Sequence, residues 1–200
     1  MENYQYIEDF ASTCTYDPNG DYSLPYTWGT FGILYNSKMV DGEPDSWDVL
    51  FDPKYEKQIL MYDSIRDSVG VALIKLGYSI NTQNQQEIDE AAELLVEQKP
   101  LVLAYGTDDL RMTMVSGSAA LAPMYAGDAA YSMIDNPDLE YVIPKEGANI
   151  FVDGLCILNT TDVYDESLRF IDFMMRPDIA AINAEYTGYS TPEDAALELV

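Results

Sequence analysis

Apolar order begins at Tyr26-Thr27-Trp28-Gly29-Thr30-Phe31-Gly32-Ile33-Leu34-Tyr35, a β-type run that Asn36-Ser37 ends. Its near-continuous apolarity predicts a strand covered on both faces, as in α/β sheets. Asp45 to Tyr55 is short and irregular, a helical turn carrying Trp47, Leu50 and Phe51, and Ile59-Leu60-Met61-Tyr62 is a short buried strand. Ile65, Val69, Ala72, Leu73 and Leu76 then fall at helical spacing, with Gly77 as a C-terminal stop. A second helix spans about Gln85 to Gln98, with Ile88, Ala91, Ala92 and Leu95 on one face. Leu101 to Ala104 is a strand, Asp108 to Ser116 a short helix, and Ala119 to Met124 and Tyr141 to Ile143 are further strands. A longer strand covers Ile150 to Leu158, with a single acid, Asp153, between apolar neighbours. Helices follow over Val163 to Met175 and Asp178 to Tyr186, and Thr191-Pro192-Glu193-Asp194 opens a last one with proline at its first position. Strands alternating with helices define an α/β class.

Charge changes the picture more than composition does. Ten Lys and Arg face thirty-five Asp and Glu, a formal net charge of −25, and histidine is absent from the 200 residues. The missing histidine excludes Ser-His-Asp and Cys-His catalysis and histidine metal sites. So negative a field repels phosphate, which argues against nucleic acid and anionic lipid as partners. Cations, or ligands without charge, are the natural partners.

No stretch reaches the roughly 18 apolar residues of a membrane span. Met1-Glu2-Asn3-Tyr4-Gln5 has neither the basic nor the apolar region of an export signal, so the chain is read as cytoplasmic or as cut from something longer. Cys156, inside Leu155-Cys156-Ile157-Leu158, reads as a buried free thiol, with a Cys14–Cys156 disulfide left open.

Phosphate-cradling glycine loops, Cys-x-x-Cys and Gly-x-Ser-x-Gly are missing, and Ser116-Gly117-Ser118 is only a loop. What stands out is acid beside aromatic at strand ends and helix starts. Asp63, Ser64 and Asp67 crowd one strand-to-helix turn; Tyr125 and Asp128 follow a strand; Phe151 and Asp153 share a strand face; Tyr186 and Tyr189 bracket a break between helices. Such a set suits an amine, because an ammonium entering a pocket needs carboxylates and ring faces in exchange for its hydration. Plainer readings stand beside this one. Ser64 and Asp67 match a helix capping box, Asp63 fits an N-cap, and Tyr125 and Phe151 fit core aromatics. Asp153 is harder to read plainly, since an acid in so apolar a run costs folding energy unless paired.

Tyr26-Thr27-Trp28-Gly29-Thr30, Leu76-Gly77-Tyr78-Ser79-Ile80-Asn81-Thr82, Pro144-Lys145-Glu146-Gly147, Phe173-Met174-Met175-Arg176-Pro177 and Gly188-Tyr189-Ser190-Thr191-Pro192 occur together in one order. From about Asp21 to Leu199 the chain resembles the spermidine/putrescine-binding subunit of polyamine ABC transporters, a periplasmic binding protein of two α/β lobes. The resemblance implies a lobe of type II periplasmic-binding-protein architecture, a mixed central sheet flanked by helices. It implies that residues 1–25 are a polar lead-in, 26–153 the second lobe and 154–200 a return segment, with the first lobe outside the chain. Hinges are then expected near Tyr26 to Trp28 and Phe151 to Gly154.

By the same resemblance Asp153 takes an inner amine, Phe151 and Tyr125 stand where the family has tryptophans, and Tyr189 is a kept tyrosine. Ser64 and Asp67 stand where a terminal amine is held, one carboxylate having become a hydroxyl that Asp63 next door would offset. Weaker hold on a long triamine favours putrescine or a mixed preference. The implied protein is extracytoplasmic, makes and breaks no bond, needs no cofactor or resident metal, and engages a permease. Three alternatives are kept. One is iron or calcium held by Tyr and Asp oxygens, with Tyr186 and Tyr189 as the nearby pair. Another is a two-carboxylate hydrolase using Asp67 and Asp153. The third is an interaction module whose exposed Phe170, Ile171 and Met174 drive dimerisation or lobe exchange.

Overall fold

The central strand, β1 (Leu24–Asn36), extends past the predicted run at both ends. From Phe31 to Asn36 every residue is buried, as two-sided cover requires, whereas the earlier half alternates between buried and half-buried. The computed structural model describes residues 1–7 and 14–200; of the predicted lead-in, 8–13 lie outside the described residues. The chain divides into two units, residues 1–29 with 150–200 and residues 30–149, so the backbone passes between them at Gly29–Thr30 and Asn149–Ile150.

In the unit of residues 30–149 the sheet is mixed. β2 (Ile59–Tyr62), β3 (Val102–Gly106), β4 (Leu121–Tyr125) and β5 (Leu139–Val142) join β1 in the order β3-β2-β4-β1-β5. β2 is parallel to β3 and β4, while β1 is antiparallel to β4, with Phe31 opposite Tyr125, and to β5, with Ile33 opposite Val142. Ile33, Leu34, Trp47, Leu50, Leu60, Met61 and Leu121 fill the core beneath it. β3 ends the order, and its Leu103, Ala104 and Tyr105 are exposed although the sequence pattern reads as buried; an edge strand has a neighbour on one side only.

Four helices flank this sheet. α1 (Ile65–Lys75) and α2 (Gln85–Gln98) fall where helical spacing puts them, and Gly77 has the left-handed φ of +80° that a helix stop needs. Ile65 nevertheless is 86% exposed. It shares the face of Ala72 but lies two turns ahead of the buried stretch Val71–Leu73. α3 (Asp109–Val115) follows β3. α4 (Ala126–Asp135) has no counterpart in the sequence reading; its buried residues, Gly127, Ala129 and Ser132, are small, and Met133 packs half-buried against the core.

The other unit carries β6 (Asn149–Leu155), which pairs with β1, and α5 (Tyr164–Met174), α6 (Pro177–Thr187) and α7 (Asp194–Leu197). Leu24, Ile171 and Met175 make one small core and Ala180, Ala181 and Ala196 another. Two expectations are corrected here. Pro192 does not open the last helix: the segment before it stays extended, bridged from Ser190 to Trp28 and from Glu193 to Ile7, so the helix starts at Asp194. β6 stops at Leu155, ahead of Cys156, which is therefore an exposed thiol rather than a buried one, and no disulfide joins Cys14 to Cys156. Among the described residues no helix is long and apolar enough to cross a membrane.

Candidate functional site

On β6, Phe151 and Asp153 share a face by the two-residue repeat of a strand. Asp153 is exposed, so it does not carry the cost expected of an acid in an apolar run: Ile150, Asp153 and Gly154 all reach solvent. Its Oδ2 accepts a 3.0 Å hydrogen bond from the Thr27 hydroxyl, and Thr27 is itself buried. Phe151 meets Tyr189 edge to face, with centroids 5.7 Å apart and rings at 81°. Gly29 makes room for that pair, since a Cβ there would lie 2.9 Å from Phe151 Cζ and 3.1 Å from Tyr189 Cδ1. Trp28 anchors the segment that carries Tyr189, through backbone bonds with Ser190 and an indole N–H donated to the Thr191 carbonyl at 3.3 Å. Asp153, Phe151 and Tyr189 are thus gathered in the unit of residues 1–29 and 150–200. Sequence reasoning missed Thr27 and Gly29 as members, although their i, i+2 spacing on β1 was a legible signal.

The remaining predicted residues belong to the unit of residues 30–149. The turn from β2 to α1 is built as a cap: the Ser64 Oγ accepts the Asp67 N–H at 3.4 Å. The reciprocal half of the capping box does not form among the described residues. Instead Asp67 Oδ1 accepts a 2.9 Å hydrogen bond from the Tyr125 hydroxyl. Asp67 is 8% exposed, carries no ion pair among the described residues, and sits at a helix N-terminus whose backbone dipole favours an anion. Neighbouring Arg66 does not neutralise it, because the guanidinium Nη2 donates to Asn81 Oδ1 at 2.7 Å. Asp63 is exposed at the end of β2, its N–H bonded to the Gly106 carbonyl at 2.8 Å. Tyr125 closes a three-ring cluster with Phe31 (4.8 Å) and Tyr62 (5.5 Å, rings at 88°) that sequence reading did not assemble. The cleft beside Asp67, lined by Phe31, Arg66, Val71, Ile74, Ile80 and Asn149, holds about 10 Å³, which fits no more than a water.

Two other carboxyls are perturbed. Burial pushes Glu193 up to about 7, and burial pushes Asp128 upward, with the Asp108 charge adding and Arg111 opposing. No group of three or more Cys, Asp or Glu side chains stands ready to hold a metal ion among the described residues.

A mixed sheet flanked by helices, with acids and rings at strand ends and a helix start, defines the fold of the periplasmic binding proteins. Residues 2–199 match the bacterial extracellular solute-binding protein family, and the chain belongs to it. It is 35% identical over 201 residues to the spermidine/putrescine-binding periplasmic protein of Salmonella typhimurium, covering 100% of this chain and 58% of that protein. It is 28% identical to the putrescine/agmatine-binding protein of Pseudomonas aeruginosa, over 92% of this chain and 55% of that one. Among solved structures, the spermidine/putrescine ABC transporter substrate-binding protein of Streptococcus pneumoniae, in complex with calcium and HEPES, superposes with a TM-score of 0.88 at 36% identity. That match covers 100% of this chain and 62% of the other. The chain therefore spans less than two thirds of the length of these relatives.

Proposed function

We propose that this chain binds a polyamine, putrescine or spermidine, as part of the extracytoplasmic solute-binding component of an ABC transporter. The observation that carries this reading is the group on β6. A solvent-reachable carboxylate, Asp153, is oriented by a hydroxyl and set on the same strand face as the Phe151–Tyr189 ring pair. Carboxylate and ring face together offset the hydration an ammonium gives up. Asp67, a buried carboxylate with Tyr125 and Ser64 beside it, is a second anionic group that the resemblance assigns to a terminal amine, and the exposed Asp63 adds charge nearby. The relatives' names agree with this chemistry. The role involves binding and release without a chemical step, and delivery to a permease.

Calorimetric titration with putrescine, spermidine and calcium, at low and moderate salt, tests the reading. Saturable polyamine heat that weakens with salt is expected, since the net charge of −25 adds a screened attraction. Binding of calcium alone would replace it with the metal reading.

A second proposal concerns α5. Phe170 and Phe173 are exposed there, while Ile171, predicted to be exposed, is buried against Leu24 and Met175, and Met174 is half-buried. Self-association of the isolated chain through this face is expected in sedimentation at high concentration, and Phe170→Ser should weaken it.

A further inference from the structure

The segment that brings Tyr189 to Phe151 ends on a buried acid. Past α6 the chain turns at Gly188, whose φ is +73°, and the residues that follow are pinned to two other parts of the unit. Ser190 exchanges backbone hydrogen bonds of 2.9 and 3.1 Å with Trp28, the Thr191 carbonyl accepts the Trp28 indole N–H at 3.3 Å, and Glu193 is bridged to Ile7. Thr191 and Glu193 are each 1% exposed, and neither Thr191 Oγ1 nor Glu193 Oε2 has a hydrogen-bond partner among the described residues. The charged groups on the elements around Glu193 are mostly acids: Glu2 ahead of the N-terminal turn Asn3–Tyr6, Asp178 and Glu185 on α6, Asp194 and Glu198 on or beside α7. The titratable tyrosines there are Tyr4, Tyr6 and Tyr186. Arg176, at the start of α6, is bonded to Asp178 through Nε at 3.0 Å and Nη2 at 2.7 Å. None of these forms an ion pair with Glu193, and burial pushes its carboxyl up to about 7.

We propose that Glu193 is a positioning residue for Tyr189: protonated, it locks residues 189–193 against Trp28 and Ile7, and ionised, it releases them, so that polyamine affinity falls as the medium turns from acid to alkaline. The inference rests on the polyamine reading of Tyr189. A carboxylate without a counter-charge in so dry a place must reach water, and a side chain this deeply buried gets there only if its backbone moves. The Ile7 bridge lies at Glu193 itself and the Trp28 bonds two and three residues before it, so releasing Glu193 loosens the seat of Tyr189. The ligand's own charge stays constant meanwhile, because alkyl amines such as that of lysine remain protonated up to about pH 9.

The experiment follows tryptophan emission and putrescine titration between about pH 5.5 and about pH 8.5, in the native chain and in Glu193→Gln. Trp28 reports on the segment, while Trp47, the other tryptophan, is fully buried in the unit of residues 30–149 and gives a steady background. In the native chain the emission should move to longer wavelength across that interval and the affinity should fall at least about fivefold. Glu193→Gln keeps the neutral shape at every pH and should hold both constant; Glu193→Met, equally long and without a hydrogen-bonding group, replaces it if the buried amide prevents folding. Native emission that does not move, or that moves equally in the variants, would overturn the proposal whatever the ligand does. An emission shift with flat affinity would overturn it as well, since the segment would then move without carrying Tyr189. An emission shift with no putrescine binding at any pH would leave the lock standing and sink the polyamine reading instead.

Discussion

The Thr27 hydroxyl donates a 3.0 Å hydrogen bond to Oδ2 of Asp153, joining β1 to β6 side by side. The bond fixes the carboxylate's rotamer while leaving Oδ1 for a ligand. Asp153→Asn keeps shape and removes charge, so polyamine affinity should fall about 30- to 100-fold, the 2–3 kcal/mol of a charge-assisted contact. Because Asp153 is exposed, the melting temperature should barely move. Calorimetry beside a thermal melt separates the two effects, and undiminished affinity would remove Asp153 from the site.

Ser64→Asp tests the second acceptor. Aspartate caps a helix as well as serine does, so the Asp67 N–H keeps its partner and the fold is undisturbed. The added carboxylate should shift preference toward spermidine over putrescine by about threefold or more, read by competition titration.

Glu193 predicts a pH dependence of stability. It is 1% exposed, its Oε2 has no hydrogen-bond partner among the described residues, and burial pushes its carboxyl up to about 7 from an ordinary 4.5. The folded state therefore keeps a proton that the unfolded state releases. Its contribution to stability is fully present below pH 4.5 and is lost as pH rises to about 7, a change on the order of 3 kcal/mol. Glu193→Gln should flatten denaturation midpoints across that window; an unaltered slope would show that Glu193 is not the group responsible.

Gly29→Ala should destabilise the unit that holds Asp153. The added methyl meets two rings, at 2.9 and 3.1 Å, that cannot retreat as a flexible side-chain end would. A loss of roughly 1–3 kcal/mol in urea denaturation is expected, with weaker polyamine binding as Phe151 and Tyr189 separate.

Most elements were legible because their signals are local. The four-residue apolar run of β2 and the helical spacing of α1 and α2 coincide with the observed spans. α4 was not read from the sequence: its fully buried residues, Gly127, Ala129 and Ser132, are small, and Met133 is a large apolar side chain it sets against the core. The exposure of β3 was hidden too: apolar composition does not say which strand ends a sheet.

For the candidate site, the residue types and strand-end positions of Asp63, Ser64, Asp67, Tyr125, Phe151, Asp153 and Tyr189 were readable from the sequence alone, and so was the negative field of a net charge of −25. Partnership was decided only in three dimensions. Thr27 reaches Asp153 across 126 positions of sequence, and Tyr125 reaches Asp67 across 58. A capping box and a tyrosine compete for the same carboxylate, and the sequence names both donors without choosing. The choice falls to the rigid packing of Phe31, Tyr62 and Tyr125, because a ring held on two sides can present its hydroxyl in only one place.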